Sequence, residues 1–360
     1  MEPLKEMFNR EFYRRFAGVF ANIDKGFNEN AFVNEVTYNL DELELNGRLR
    51  NTSVVLQKYL PKDFKKAVDI LYNAAPTLRR GYTALVLPDF VGRYGKEYFH
   101  LSMEALKDFT SFGSSEFAVR EFLKTDLNKT LEVMQLWAED RDEHVRRLAS
   151  EGSRPRLPWS FKLEEIIKNP SLTTNILDKL KADESPYVRK SVANHLNDIS
   201  KDNTSYMLGL VKSWDNSHPH TYWIIKHASR TLIKKGNLDS LSLFDFEKDI
   251  KLSITNFRIN SNHLRLGEDL QFSFELTSLK NTPQKLVIDY AIHYSKALGN
   301  QSKKVFKLKE MILQPNQVVQ LSKKQLFKDL TTRKHYMGKH LVEIIVNGNE
   351  FGNIEFDLSC

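Results

Sequence analysis

Apolar residues recur at intervals of three and four through the first two-thirds of the chain. Phe8, Phe12, Phe16 and Phe20 form one series; Leu40 and Leu43, then Val54, Val55 and Tyr59, continue it. Phe64, Val68, Leu71 and Leu85 carry it to Phe99. Such spacing gathers apolar side chains on one helix face and predicts amphipathic helices of about ten to fifteen residues joined by short polar turns. Near residue 250 the rhythm changes to alternation. Ile250–Ile259, Leu270–Leu279, Lys285–Ser295, Lys303–Leu313, Gln317–Phe327, Lys339–Val346 and Asn353–Leu358 read as short strands. Turn residues separate them, among them Gly267, Asn281-Thr282-Pro283, Gly299-Asn300, Pro315-Asn316 and Asn347-Gly348-Asn349. About seven alternating strands in this stretch predict an antiparallel β-sandwich of immunoglobulin type, with a small barrel as the alternative.

The helical part repeats itself. Phe117-Ala118-Val119-Arg120, Glu143-His144-Val145-Arg146-Arg147 and Pro186-Tyr187-Val188-Arg189-Lys190 each place Val-Arg early in a helix, and Asp140 and Asp183 each precede that valine by five residues. An acidic turn feeding a Val-Arg helix is the texture of HEAT repeats, helix pairs stacked into a superhelix. The valine is expected between helices; the arginine either faces the concave side or pairs with the acidic turn. The fold class expected is therefore multidomain, α then all-β: a HEAT-like α-solenoid over 1–248 followed by an immunoglobulin-like β-sandwich over 249–360.

Composition narrows the setting. Hydrophobic content of 41% and charge of 28% describe an ordinary globular protein. One cysteine, Cys360, rules out an intramolecular disulfide, so the sandwich is not of antibody type and a reducing cytosol is expected. Neither a signal-peptide core nor an apolar stretch of membrane-spanning length is present, and the expected location is cytoplasmic. Residues 250–360 hold 16 Lys/Arg against 10 Asp/Glu, which accounts for +6 of the net +7. A basic sandwich suits a polyanion, nucleic acid first, although charge of this size also serves solubility.

Candidate chemistry concentrates between Arg146 and Trp159, where four arginines, one carboxylate and one tryptophan meet at the end of a helix. Arg147 and Glu151, four apart, share a face. Gly152 is expected to stop the helix, and Pro155 and Pro158 to stiffen the corner that follows. Arginines hold phosphates, an aromatic ring stacks on a sugar or base, and a carboxylate stabilises a developing cation. Two bland readings stand beside this one: a surface ion pair worth roughly 0.3–0.5 kcal/mol, and a tryptophan that closes a helix corner. His218, His220 and His227 invite a zinc reading, but no cysteine or acid cluster completes a site. Tyr222 and Trp223 either pack in the last helix pair or line the far end of a cleft. No Gly-rich phosphate loop, Walker sequence or Ser/His/Asp arrangement is present.

With these residues in view, the chain resembles the AlkC/AlkD-like HEAT-repeat DNA glycosylase superfamily, specifically its alkylpurine glycosylase branch. The resemblance runs from Leu45-Asn46-Gly47-Arg48-Leu49-Arg50 through Tyr59-Leu60-Pro61 to the helices near residue 235. It is densest across Ser115-Glu116-Phe117-Ala118-Val119-Arg120 and from Val145 through Trp159. Some members of this branch carry a C-terminal immunoglobulin-like domain. The resemblance implies base excision repair of alkylation damage: removal of 3-methyladenine and 3-methylcytosine from double-stranded DNA, with no metal or cofactor and with the base left largely stacked. It carries Glu151 and Glu116 over as catalytic carboxylates, Glu151 first. Trp159 and Phe117 become the partners of the lesion deoxyribose, where an aromatic face favours a cation by roughly 0.5–2 kcal/mol. Arg147, Arg154, Arg156 and Arg120 are the expected phosphate contacts; Arg146 is set apart from them because adjacent helix residues point away from each other.

Bland roles remain open for Glu116 as a helix-start acid, for Phe117 as core and for Glu151 as the partner of Arg147. The expected function is that of a monofunctional glycosylase acting as a monomer. The competing functions are a non-catalytic HEAT-repeat DNA-binding protein and a protein-interaction scaffold. A carboxylate facing the cleft discriminates the enzyme from the passive binder, and salt-sensitive binding discriminates both from the scaffold.

Overall fold

Asn9, Asn28, Asp63, Asp126, Asp142 and Ser185 each accept a hydrogen bond from a backbone N–H two or three residues ahead, and each opens a helix. The computed structural model describes residues 3–247, 249–329 and 334–359; Cys360 lies outside them. The chain divides into two compact units, Met1–Ala228 and Ser229–Cys360.

The regular elements of the first unit are all helices among its described residues. Its N-terminal end is built by the phenylalanine series: Phe8, Phe16, Phe20 and Phe32 are at most 2% exposed, and successive rings pack 4.8–6.0 Å apart from Phe16 to Phe20 and Phe32. The repeat around Val-Arg is a structural module. Asp140 accepts from the Asp142 N–H, and 43 residues on Asp183 accepts from the Ser185 N–H. Arg146 Nη1 then donates to the carbonyls of Asp140 and Arg141, and Arg189 Nη1 to those of Asp183 and Glu184. Val145 and Val188 are buried between helices. The arginine therefore clamps its own acidic turn, one of the two roles the sequence left open. Helix Glu143–Gly152 packs on helix Pro186–Asp202, which packs in turn on helix Pro219–Ala228.

Among the described residues of the second unit, eight strands form two sheets. β1 (Leu252–Ile259), β3 (Asp269–Ser278) and β6 (Val318–Leu326) make one. β2 (His263–Arg265), β8 (Asn349–Ser359), β7 (Gly338–Val346), β4 (Gln284–Ser295) and β5 (Gln301–Leu313) make the other, in that order. Leu270, Phe272, Phe274 and Leu276 alternate inward from β3 and meet Leu286, Ile288, Tyr290 and Ile292 of β4 in one apolar core. The seven strands read from alternation are all present. β2 is the addition: at three residues it is too short to alternate, and it pairs parallel to β8. Helices Arg230–Lys234 and Leu238–Ser242, which the sequence reading placed with the solenoid, belong to this unit. Lys234 donates to the Val305 carbonyl, Asn347 to the Glu247 carbonyl, and Gly236 meets Gly348 so closely that a Cβ on Gly236 would stand 2.9 Å from the Gly348 Cα.

Candidate functional site

Helix Glu143–Gly152 presents Arg147 and Glu151 on one face, as their spacing requires. The Glu151 carboxylate, in a residue only 6% exposed, is held at both oxygens. Its Oε1 accepts from Arg154 Nη1 at 2.7 Å and lies 3.6 Å from Arg147 Nη2; its Oε2 accepts from Ser191 Oγ at 2.6 Å. Glu116 comes from the turn that precedes helix Val119–Thr125. Its Oε2 accepts from Arg147 Nη1 at 2.6 Å and from Ser114 Oγ at 2.8 Å. Arg147 thus stands between the two carboxylates. Burial opposes its charge, but Glu116 and Glu151 outweigh that and raise its proton affinity above that of an ordinary arginine. Its guanidinium also lies 4.7 Å from the centre of the Tyr187 ring.

Both carboxylates face a cleft of about 620 Å³, whose walls include Phe117, Tyr187 and Trp159. Phe117 and Trp159 also wall a second cavity of about 500 Å³, lined by Arg50, Arg93 and Lys96. Trp159 is 68% exposed and has φ of 65°, in the left-handed region. The other non-glycine residues with positive φ among those described are Asp245, Asn256, Asn316 and Asn347, side chains that tolerate this conformation. A tryptophan held there costs on the order of 1–3 kcal/mol. The ring is therefore displayed at the expense of backbone strain, whereas a corner-closing core residue would be buried without it.

Several expected phosphate contacts take other positions. Arg120 is fully buried; its Nη1 donates to the carbonyls of Gly152 and Arg154, its Nη2 to that of Phe161, and burial lowers its pKa to about 10. It fixes the path of the Arg154–Phe161 corner. Arg154 is also buried, forked between Glu151 and Asp198. Neither reaches a surface where a phosphate would lie. Arg156 is part-exposed but paired through two hydrogen bonds with Asp202. Arg146 pairs with Asp183, away from Arg147, as its place on the helix anticipates. Gly152 has no positive φ; its small size serves close approach, since a Cβ would stand 2.5 Å from Val119 Cγ1.

The sequence reading missed Ser114, Tyr187, Ser191 and Asp198. The last two had a signal: Ser191, His195 and Asp198 recur at four and three on a helix face that burial requires to be apolar. Among the described residues no cluster of three or more His, Cys, Asp or Glu is placed to hold a metal ion. His218 accepts from the His220 N–H at the start of its helix, and His227 stacks on Trp223. No helix of the described chain is long and apolar enough to cross a membrane.

A helical unit with a paired-carboxylate, aromatic-walled cleft, followed by an immunoglobulin-like sandwich, defines a class that comparison with known proteins identifies. Residues 104–232 match the family described as "DNA alkylation repair enzyme", and residues 253–360 the "Uncharacterised protein YhaZ, C-terminal Ig-like domain". The chain is 41% identical over 359 residues to the protein YhaZ of Bacillus subtilis, covering 99% of this chain and 100% of that one. It is 45% identical to the alkylpurine DNA glycosylase AlkC of Pseudomonas fluorescens, solved bound to DNA containing an abasic site analog; the structures superpose with a TM-score of 0.97 over 100% of both chains. The chain belongs to the AlkC family of DNA alkylation repair glycosylases.

Proposed function

We propose that this chain is a monofunctional DNA glycosylase that hydrolyses the N-glycosidic bond of cationic alkylated bases, 3-methyladenine and 3-methylcytosine, in duplex DNA, without flipping the base from the stack. The observation that carries this reading is the pair of carboxylates bridged by Arg147 at a cleft walled by Phe117 and Trp159. N3-alkylation makes the base a cationic leaving group. As its bond to C1′ breaks, positive charge develops on the sugar, and a fixed carboxylate stabilises it while orienting the attacking water. Glu151 takes that role. Glu116 holds Arg147 in place and adds a second negative charge, and the two aromatic faces pack on the deoxyribose. No lysine lines this cleft among the described residues, which supports water as the nucleophile. Of the four expected phosphate-binding arginines, Arg147 and the part-exposed Arg156 remain in the proposal. A passive binder would gain nothing from two anions set where phosphates approach.

The test is release of methylated bases from N-methylated duplex DNA by wild type and by Glu151→Gln. Release by wild type and its loss in the variant, with DNA binding retained, is the expected result. A folded, DNA-binding wild type that releases no base would leave a non-catalytic binder.

A further inference from the structure

Behind Glu151, on the side away from the cleft, lies a buried polar stripe that the proposed chemistry has not used. Helix Pro186–Asp202 turns Ser191, His195 and Asp198 toward helix Glu143–Gly152, and none of the three is more than 2% exposed. Each holds a different part of the neighbouring chain. Ser191 Oγ donates to Glu151 Oε2 at 2.6 Å. His195 Nδ1 lies 3.0 Å from the carbonyl oxygen of Ser150, while its Nε2 lies 3.3 Å from Thr173 Oγ1. Asp198 Oδ2 accepts from Arg154 at Nε (2.8 Å) and Nη2 (2.7 Å), and Arg154 Nη1 then donates to Glu151 Oε1.

A face that serves packing alone is apolar, because each buried polar group left without a partner carries a desolvation penalty. Here the matching groups converge on one residue. Ser191 fixes one carboxylate oxygen directly. Asp198 fixes the other at one remove, by orienting the guanidinium that binds it. Both oxygens of Glu151 are therefore tied by groups outside the cleft lining, which restrains rotation of a carboxylate that itself lines the cleft. None of Ser191, His195, Asp198 or Arg154 lines that cleft, so none is placed to touch DNA there.

We infer that Ser191, together with the Arg154–Asp198 pair, is a positioning device for the Glu151 carboxylate, acting on the rate of bond cleavage and leaving DNA binding untouched. The inference rests on Glu151 being the carboxylate that faces the reacting sugar. A positioned carboxylate stabilises charge without reorganising during the reaction, and loosening it weakens that effect.

The experiment compares full-length wild type, Ser191→Ala, Ser191→Thr, Asp198→Asn and Glu151→Gln. It measures single-turnover release of 3-methyladenine from duplex DNA, affinity for a duplex carrying a tetrahydrofuran abasic site, and the thermal unfolding midpoint. Ser191→Ala is expected to slow release about tenfold or more, with affinity within about twofold of wild type. Ser191→Thr keeps the hydroxyl and restores most of the rate. Asp198→Asn, which acts through the other oxygen, shows the same split between rate and affinity and serves as the second reading where the threonine methyl disturbs packing. Wild-type rates in both Ser191→Ala and Asp198→Asn overturn the inference. So does a loss of rate that is matched by equal losses of affinity and unfolding midpoint. If Glu151→Gln itself releases base at the wild-type rate, the proposed function of Glu151 falls instead.

Discussion

At the scale of single residues, the proposed chemistry depends on side chains held against their own preferences. Trp159 is the sharpest case: a large exposed ring on a left-handed backbone otherwise adopted, among the described non-glycine residues, only by asparagine and aspartate. Trp159→Asn relieves that strain while removing the ring. We expect the variant to unfold at the same temperature or higher, a gain of up to about 1 kcal/mol, and to lose about tenfold or more in base release. A variant that is both less stable and fully active would show that the ring serves packing. Glu151 and Arg147 were legible in the sequence because four-residue spacing on a helix is itself a statement about contact. Arg120 and Arg154 were not. A one-dimensional reading counts an arginine as a surface cation, and only packing shows that carbonyls and carboxylates already occupy its donors.

At the scale of elements, the alternation after residue 250 located seven of the eight strands among the described residues, because a sandwich strand with one buried face leaves a period of two that register cannot hide. β4 departs from that rule, being buried on both faces, and an acid stands on the face opposite its core residues. Asp289 of β4 is 2% exposed, and burial, only partly offset by Lys234 and Lys307, raises its pKa to about 6. Unfolded, the same carboxyl titrates near 3.8. Between these values the unfolded chain gives up a proton that the fold retains, so stability falls as pH rises through this window, and the penalty is complete above about pH 6. Asp289→Asn is therefore expected to stabilise the fold at pH near 7.5 by on the order of 1–3 kcal/mol, with the gain vanishing near pH 4. Denaturation at both values checks this; an equal effect at the two would place its origin outside titration. The helical repeats were legible for a different reason. The Asp–Val-Arg spacing encodes a capped turn and its clamp, repeated 43 residues apart, with each arginine bonded to the turn that precedes it.

For the whole molecule, charge and chemistry are divided. The carboxylate cleft lies in the helical unit, whereas residues 250–360 hold nearly all the net positive charge. A chain ending at Ala228 is expected to bind duplex DNA at least about tenfold more weakly at moderate salt, with a shallower dependence on salt concentration, since fewer counterions are displaced. Titration of both proteins at two salt concentrations decides this; equal affinity would remove the sandwich from DNA binding.

The choice of Ala228 for that cut follows from the two short helices that travel with the sandwich. Leu232, Ile233, Leu241, Phe244 and Phe246 are all buried, and Gly236 approaches Gly348 at backbone distance. A cut at residue 248, where the change in rhythm invites it, would separate those side chains from the rest of their compact unit, and such a fragment is expected to aggregate for reasons unrelated to DNA. The same contact decides where the unit can be excised whole. A sandwich moved into another protein is expected to need residues 229–247 with it, because they belong to its own compact unit.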